Sequence, residues 1–191
     1  LNKVSFDSGS QCATFGSSIF ASSGLVSITI PTSVTSIPSH AFTSCLSLKT
    51  VSFDSGSQCA TFGGVAFAYS GLVNISIPTS VTSIEGYAFL SSSLTSVSFD
   101  SGSQCTNIFS YAFQATSLVN ITIPISVDYI GEGAFSRCKS LTRVSFDSGS
   151  QCTNIASSVF QFTSLVNITI PTSVTSIGEY AFQNCNDLTS V

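Results

Sequence analysis

The chain has 191 residues, of which 7% are charged and 43% are hydrophobic, and its formal net charge is −4. Five Lys and Arg residues provide no basic field for a phosphate backbone, which argues against a nucleic-acid partner. No apolar run approaches the roughly 20 residues that a membrane span requires, and disorder normally goes with lower hydrophobicity and more charge. We therefore expect an ordered segment without a membrane span.

The heptapeptide Phe-Asp-Ser-Gly-Ser-Gln-Cys organises the chain. It occurs four times without a change, at Phe6–Cys12, Phe53–Cys59, Phe99–Cys105 and Phe146–Cys152, in steps of 46 or 47 residues. A period of this length is typical of repeat arrays.

The long period divides into coils of 22 to 24 residues, each opened by a leucine. These leucines are Leu25, Leu48, Leu72, Leu94, Leu118, Leu141, Leu165 and Leu188. Two kinds of coil alternate, with proline (as at Pro124) or aspartate (as at Asp100) six residues after the leucine. We call them Pro coils and Asp coils. The pattern predicts a β-rich solenoid of about eight coils.

The first segment of each coil alternates apolar and polar residues. Ile121 and Ile123 would point one way, and Asn120 and Thr122 the other. An apolar/polar alternation with a period of two residues, in a segment rich in β-branched residues, predicts a half-buried strand. The strands of successive coils would then form a parallel sheet on one face of the solenoid. Proline would end this strand because it lacks an N–H. Asp-Ser-Gly would end it as a turn, in which the carboxylate is expected to accept backbone N–H bonds.

A second short extended piece follows in each coil, as in Val34–Ile37 or Cys105–Ile108. Next comes a compact segment such as 178–182, which we predict to be a single helical or 3-10 turn.

One phenylalanine recurs in every coil, and adjacent strands lie about 4.8 Å apart, so these rings are predicted to stack into a spine along the solenoid axis. The spine residues are Phe20, Phe42, Phe67, Phe89, Phe113, Phe135, Phe160 and Phe182. The Phe of each heptapeptide is predicted to add a second ladder on alternate coils.

Residues 165–185, Leu-Val-Asn-Ile-Thr-Ile-Pro-Thr-Ser-Val-Thr-Ser-Ile-Gly-Glu-Tyr-Ala-Phe-Gln-Asn-Cys, resemble the BspA-like leucine-rich repeat family. The resemblance covers essentially the whole chain, which we treat as a single solenoid over 1–191 without a separate capping domain. The Asp coils depart from the family pattern by replacing Pro and by two further turn residues. The resemblance implies an extended solenoid and a cell-surface or extracellular protein that binds matrix or host-cell partners. No signal peptide is visible in this segment.

The seven cysteines are predicted to be free, buried thiols. Those of the heptapeptides replace a core valine on every second coil, about 10 Å apart, whereas a disulfide needs Cα atoms within about 7 Å. No metal or other cofactor is expected, because no Cys/His cluster has zinc spacing and the aspartate row does not converge as calcium ligands must. His40 is the single histidine, and no nucleophile and base are held together. We therefore do not expect an enzyme.

The outward strand face is the candidate binding surface, because solenoids present extended surfaces to partners. Its candidate residues are Asn74, Ser76, Asn120, Thr122, Arg143, Ser145, Asn167 and Thr169. Asn74, Asn120 and Asn167 each begin an Asn-x-Ser/Thr sequon, the acceptor motif for N-glycosylation. The hypothesis is a recognition surface for protein or glycan. The alternatives are a passive structural spacer without a ligand and, with less support, an ice-binding sheet.

Both ends of the segment lie within repeats. Because solenoids usually need capping repeats for solubility, we expect this segment to self-associate end to end or to fray at its ends.

Overall fold

The computed structural model describes residues 1–191 and forms a parallel β-solenoid with no helix. Each of about seven coils contributes one long and one short strand. The strands are β1 Ser27–Ile30, β2 Ser36–Ile37, β3 Thr50–Phe53, β4 Thr61–Phe62, β5 Asn74–Ile77, β6 Ser83–Ile84, β7 Ser96–Phe99, β8 Asn107–Ile108, β9 Asn120–Ile123, β10 Tyr129–Ile130, β11 Arg143–Phe146, β12 Asn154–Ile155, β13 Asn167–Ile168 and β14 Ser176–Ile177. The predicted solenoid and its second short strand are confirmed.

The odd-numbered strands form one row and the even-numbered strands another. The first row consists of the sheets β1-β3-β5-β7 and β9-β11-β13, and the second of β2-β4-β6-β8-β10 and β12-β14. Every pair is parallel, as Ser27↔Thr50 and Ile28↔Val51 illustrate. In each long strand the second residue points into the core and the first points outward.

Pairing between the long strands alternates between complete and partial. Each Pro coil pairs with the following Asp coil over all four residues, in β1–β3, β5–β7 and β9–β11. Each Asp coil pairs poorly with the next Pro coil: β3–β5 at one position, β11–β13 at two, and β7 and β9 fall in different sheets. The solenoid is therefore a stack of two-coil units.

The proline explains this alternation. In β3 the ladder continues past the strand, because the Asp54 N–H donates to the carbonyl oxygen of Ile30 (N···O 3.0 Å), and Asp100 and Asp147 make the same bond. Pro78 holds the equivalent place in the next coil, where it has no N–H to donate to Phe53. The ladder loses a bond at that junction, and the two strands separate beyond their first residues.

The segment predicted to be helical is a series of tandem β-turns, so that prediction is wrong. His40 and Ser44 have φ values of 60° and 59°, and their N–H groups donate to the next coil at Gly64 and Ala68. The N–H groups of Ala41 and Thr43 instead bond three residues back within the turn. A helix would satisfy its donors internally, whereas here half of them join neighbouring coils.

The predicted phenylalanine spine is confirmed. From Phe20 to Phe182 each ring stacks on the next, with centroids 5.0 to 5.8 Å apart. The heptapeptide phenylalanines are half-buried and are separated by isoleucines such as Ile77 and Ile123. They form no ring-on-ring ladder, since Phe53 stacks instead on Phe62 of its own coil at 5.6 Å.

The cysteines are free, and six of the seven are buried, while Cys12 is partly exposed. The cysteines that lie three residues after a spine phenylalanine donate their thiol to the backbone carbonyl of the spine phenylalanine in the preceding coil. The distance is 2.9 Å from Cys45 to Phe20 and 3.0 Å from Cys138 to Phe113. The predicted role as small core residues is therefore confirmed for all but Cys12.

Candidate functional site

The candidate strand face is a polar surface, with seven of its eight predicted residues exposed and Ser145 half-buried. Alternation along the strands fixes this orientation, because the neighbouring Ile121, Val144 and Ile168 are buried. The orientation that the sequence predicts is therefore found throughout.

Five of the eight residues lie together on the β9-β11-β13 sheet. Arg143 pairs with Asn120 on one side and with Asn167 on the other, and Thr122 pairs with Ser145. Directly opposed residues in a sheet have Cβ atoms about 5 Å apart. The guanidinium therefore rises from a surface of amides and hydroxyls, all of which can hydrogen-bond to a ligand.

The other three lie outside that sheet. Asn74 and Ser76 belong to β5 and pair with Ser96 and Ser98 of β7, and Thr169 follows the end of β13. β7 and β9 fall in different sheets, and their coils are joined just before these strands by the bond from the Val119 N–H to the Thr95 carbonyl oxygen at 3.2 Å.

Asp100, the aspartate of the third heptapeptide, contributes to this face in a way that the sequence did not indicate. The Asp100 carbonyl accepts the Ser103 N–H at 3.0 Å and closes the turn, with Gly102 at φ 79°, a value that favours glycine. The Asp100 carboxylate does not take the backbone N–H bonds that we predicted. It accepts the Ser76 hydroxyl at 2.6 Å and so leans over the outward side of the preceding strand.

Clefts open at the weak junctions between two-coil units, where each Asp coil meets the next Pro coil. Their volumes, in chain order, are about 240, 240, 390 and 520 Å³. We call them clefts 1 to 4. Their first walls are residues 3–6, 53–57, 97–103 and 143–150, and their second walls lie within residues 27–29, 78–80, 120–125 and 167–172.

The same residue types line all four clefts. Each contains the heptapeptide phenylalanine (Phe6, Phe53, Phe99 or Phe146), half-buried, together with at least one aspartate and several hydroxyl side chains. Sequence reasoning did not find these clefts. The signal was the alternation of proline and aspartate, which removes one ladder donor from every second coil.

The remaining candidate residues are His40, the possible metal ligands and the sequon asparagines. His40 is exposed on the turn side, and no three His, Cys, Asp or Glu residues are grouped as metal ligands. The sequon residues Asn74, Asn120 and Asn167 are exposed on the strand face.

The turn side carries one aromatic pair. Tyr87 and Tyr111 stack with centroids 5.1 Å apart, and the Tyr111 hydroxyl donates to the Glu132 carboxylate. That bond, with a smaller contribution from burial, raises the pKa of Tyr111 to about 12. The phenol therefore stays protonated and cannot act as a base near neutral pH.

Parallel strands in stacked coils of 22 to 24 residues place the molecule among leucine-rich repeat solenoids. The model of the BspA type leucine rich repeat region matches six copies over residues 1–68 and 60–189. The chain belongs to this BspA-type leucine-rich repeat family.

Three solved bacterial structures share the fold. The pneumococcal vaccine antigen PcpA is 26% identical with a TM-score of 0.66, covering 86% of this chain and 49% of its own. A leucine-rich repeat protein from Bacteroides ovatus is 27% identical with a TM-score of 0.62, covering 90% and 50%. The T. pallidum leucine-rich repeat protein TpLRR is 27% identical with a TM-score of 0.56, covering 90% and 69%.

The chain thus spans about half the length of the first two structures. None of the curated protein sequences compared with the chain matches it. The solenoid also contains no helix with the length and hydropathy needed to cross a membrane.

Proposed function

We propose that this solenoid is a non-enzymatic recognition module that binds a protein or glycan partner through its strand face. The observation that carries the proposal is the polar surface of β9-β11-β13, where Arg143 stands between Asn120 and Asn167. Arginine is a strong donor to carboxylate and carbonyl groups, and its surroundings offer both donors and acceptors. The equivalent outward position in the first coil holds Lys3, which lies before the first strand and outside any sheet.

A cell-surface or secreted, adhesin-like protein is the setting that we propose for this module. Membership of the BspA-type family supports it. The similarity to the pneumococcal protein PcpA, a vaccine antigen, supports it as well.

The test is capture of partners from cell-surface and extracellular-matrix extracts by the immobilised solenoid. A variant carrying Asn120→Glu, Thr122→Glu, Arg143→Glu and Ser145→Glu should lose the partner, because it reverses the charge of the patch. Its far-UV spectrum should match that of the parent, since three of the four side chains are exposed and Ser145 is half-buried, although the opposed glutamates lower its thermal stability.

A matched control places four glutamates on exposed residues away from the long strands, by Ser91→Glu, Lys139→Glu, Thr175→Glu and Gln183→Glu. This control should retain the partner. Equal capture by both variants would remove the assignment to the strand face.

The second candidate is a structural spacer with no ligand of its own. Its support is the continuous ring spine and the near-identity of the coils, which set length and rigidity without specifying any one surface. In that case no partner is captured, and exchanging β9-β11-β13 coils for copies of other coils leaves the function of the parent protein intact.

A further inference from the structure

The four clefts recur at a fixed interval along one side of the solenoid. Each lies at the junction of an Asp coil and the next Pro coil, so successive clefts are two coils, or about 10 Å, apart. Clefts 2 to 4 are formed by equivalent sequence positions, namely the end of the long strand, the heptapeptide turn and the segment that begins at the next proline, whereas cleft 1 lies over strand residues 3–6 and 27–29. A ligand that fits one of clefts 2 to 4 therefore meets the same groups at the next.

The lining of each cleft combines an apolar ring with hydrogen-bonding groups. In cleft 3 the ring is Phe99, half-buried, and Asp100, Asp147 and Thr122 are among the polar residues that line the cleft. A pyranose has an apolar face of C–H groups and a rim of hydroxyls, and these two surfaces match the ring and the carboxylates. Hydrogen bonds to a carboxylate are stronger than neutral ones, which favours a ligand rich in hydroxyl donors.

The charge and size of the clefts narrow the choice of sugar. Asp54, Asp100 and Asp147 place carboxylates at the clefts, and the chain has a net charge of −4. Clefts 2 and 3 contain no basic residue and would repel uronic acids and sulfated sugars, whereas clefts 1 and 4 also contain Lys3 and Arg143. The volumes of about 240 to 520 Å³ lie at or below the lower part of the range of roughly 300–1,000 Å³ seen for small-ligand pockets, which suits one or two sugar residues per cleft.

We propose that the clefts form a linear array of subsites for an uncharged, extended polysaccharide with a two-sugar repeat. A β-1,4-linked pair of pyranoses is close in length to the spacing of two coils, so one chain places a repeat in each cleft. This inference rests on the proposed recognition function and specifies its ligand. Binding several weak subsites with one chain raises the overall affinity without any new contact.

The test is calorimetric titration of the solenoid with β-1,4-linked glucose and N-acetylglucosamine oligomers of increasing length, and with heparin as the anionic probe. The affinity for one neutral series should rise by about tenfold or more from the disaccharide to an oligomer long enough for all clefts. Heparin should not bind. Affinity that is independent of length, no binding by either neutral series, or preference for heparin would overturn the inference.

Two double variants locate the subsites: Phe99→Leu with Phe146→Leu, and Asp100→Asn with Asp147→Asn. Each should weaken binding of the long oligomer by about tenfold or more while the far-UV spectrum stays unchanged. The controls are Phe109→Leu, a half-buried phenylalanine outside the clefts, and Asp128→Asn, an exposed carboxylate outside them. Equal binding by the cleft and control variants would overturn the assignment to the clefts.

The outcome also separates this inference from the proposed function. If a protein partner is captured through the strand face while no neutral oligomer binds, the recognition function stands and the polysaccharide array is overturned. If neither a protein nor an oligomer binds, both proposals fall.

Discussion

Ser92 is the one buried side chain whose polar atom has no hydrogen-bond partner. In other Pro coils a cysteine occupies this position, and its longer C–S bond brings the thiol within reach of a spine carbonyl, as for Cys138 and Phe113. A buried hydroxyl without a partner costs about 1–3 kcal/mol. We predict that Ser92→Cys raises the free energy of unfolding by about 1 kcal/mol, measured by denaturant titration.

The reciprocal substitution is the matched control. Cys138→Ser should lower the free energy of unfolding by a similar amount, because it creates the same orphaned hydroxyl in another coil. If Ser92→Cys destabilised the protein, the serine would have a role that its contacts do not reveal.

The buried thiols make stability depend on alkaline pH. Burial raises the pKa of Cys105 from 9.0 to about 12, and the pKa values of Cys59 and Cys138 to about 11. Between pH 9 and these values the unfolded chain loses protons that the folded chain keeps, so stability must fall as the pH rises. We predict a declining free energy of unfolding between pH 9 and 11, with little change from these groups below pH 8.

Valine supplies the control for that prediction. Val81 and Val127 occupy in Pro coils the place that Cys59 and Cys105 hold in Asp coils, so valine fits this position in the fold. The double variant Cys59→Val, Cys105→Val should show a shallower decline above pH 9. An unchanged slope would mean that other groups govern alkaline unfolding.

At the scale of the strand, one backbone N–H donor determines whether the long strands of two neighbouring coils pair along their whole length. The Asp100 N–H donates to Ile77 at 3.0 Å. Asp100→Pro would remove this bond and lower the free energy of unfolding by about 1–3 kcal/mol. Amide hydrogen exchange at Phe99 and Val97 should accelerate as β5 and β7 separate.

Asp100→Asn serves as its control, because it keeps the N–H and removes only the charge. It should leave exchange in β7 near that of the parent. Slow exchange in the Asp100→Pro variant would show that the proline does not cause the clefts.

The period, the two strand rows and the inward and outward residues could be predicted because each depends on local alternation repeated in every coil. The turn conformation could not. Its left-handed positions are held by residues such as His40, Tyr87 and Ser91, with Gly133 as the one glycine among them, so the composition does not signal them. The inter-coil hydrogen bonds that stabilise this conformation are long-range, and a single coil does not encode them.

The candidate face was predictable for the same reason, but the clefts were not. The predicted effect of proline concerned its own strand, whereas the observed effect appears in the pairing with the preceding coil. That consequence depends on the register Thr50↔Asn74, which sets Pro78 opposite Asp54. Register between coils is not visible in either coil alone.

At the scale of the whole molecule, stability depends on contacts between neighbouring coils, since a single coil cannot bury its apolar face. Phe113 is fully buried and stacks on Phe89 and Phe135 at 5.0 and 5.3 Å. Phe113→Ala should cost about 3–5 kcal/mol, measured by denaturant unfolding. It should also divide the unfolding transition, because the two halves of the spine lose their connection.

The same truncation at the half-buried Phe109 is the control, and it should cost less and leave one transition. A single, cooperative transition in Phe113→Ala would mean that the outer strand rows couple the coils as strongly as the rings do.

The alternation of proline and aspartate also constrains how such an array can change in length. Loss of one 23-residue coil would bring two Pro coils or two Asp coils into contact and disturb the order of closed and open junctions. Gain or loss of a 46- or 47-residue pair leaves every junction as it was. The array is therefore expected to gain or lose coils two at a time, one Pro coil with one Asp coil. Relatives that differ in length by even numbers of coils should be the ones that remain folded and functional.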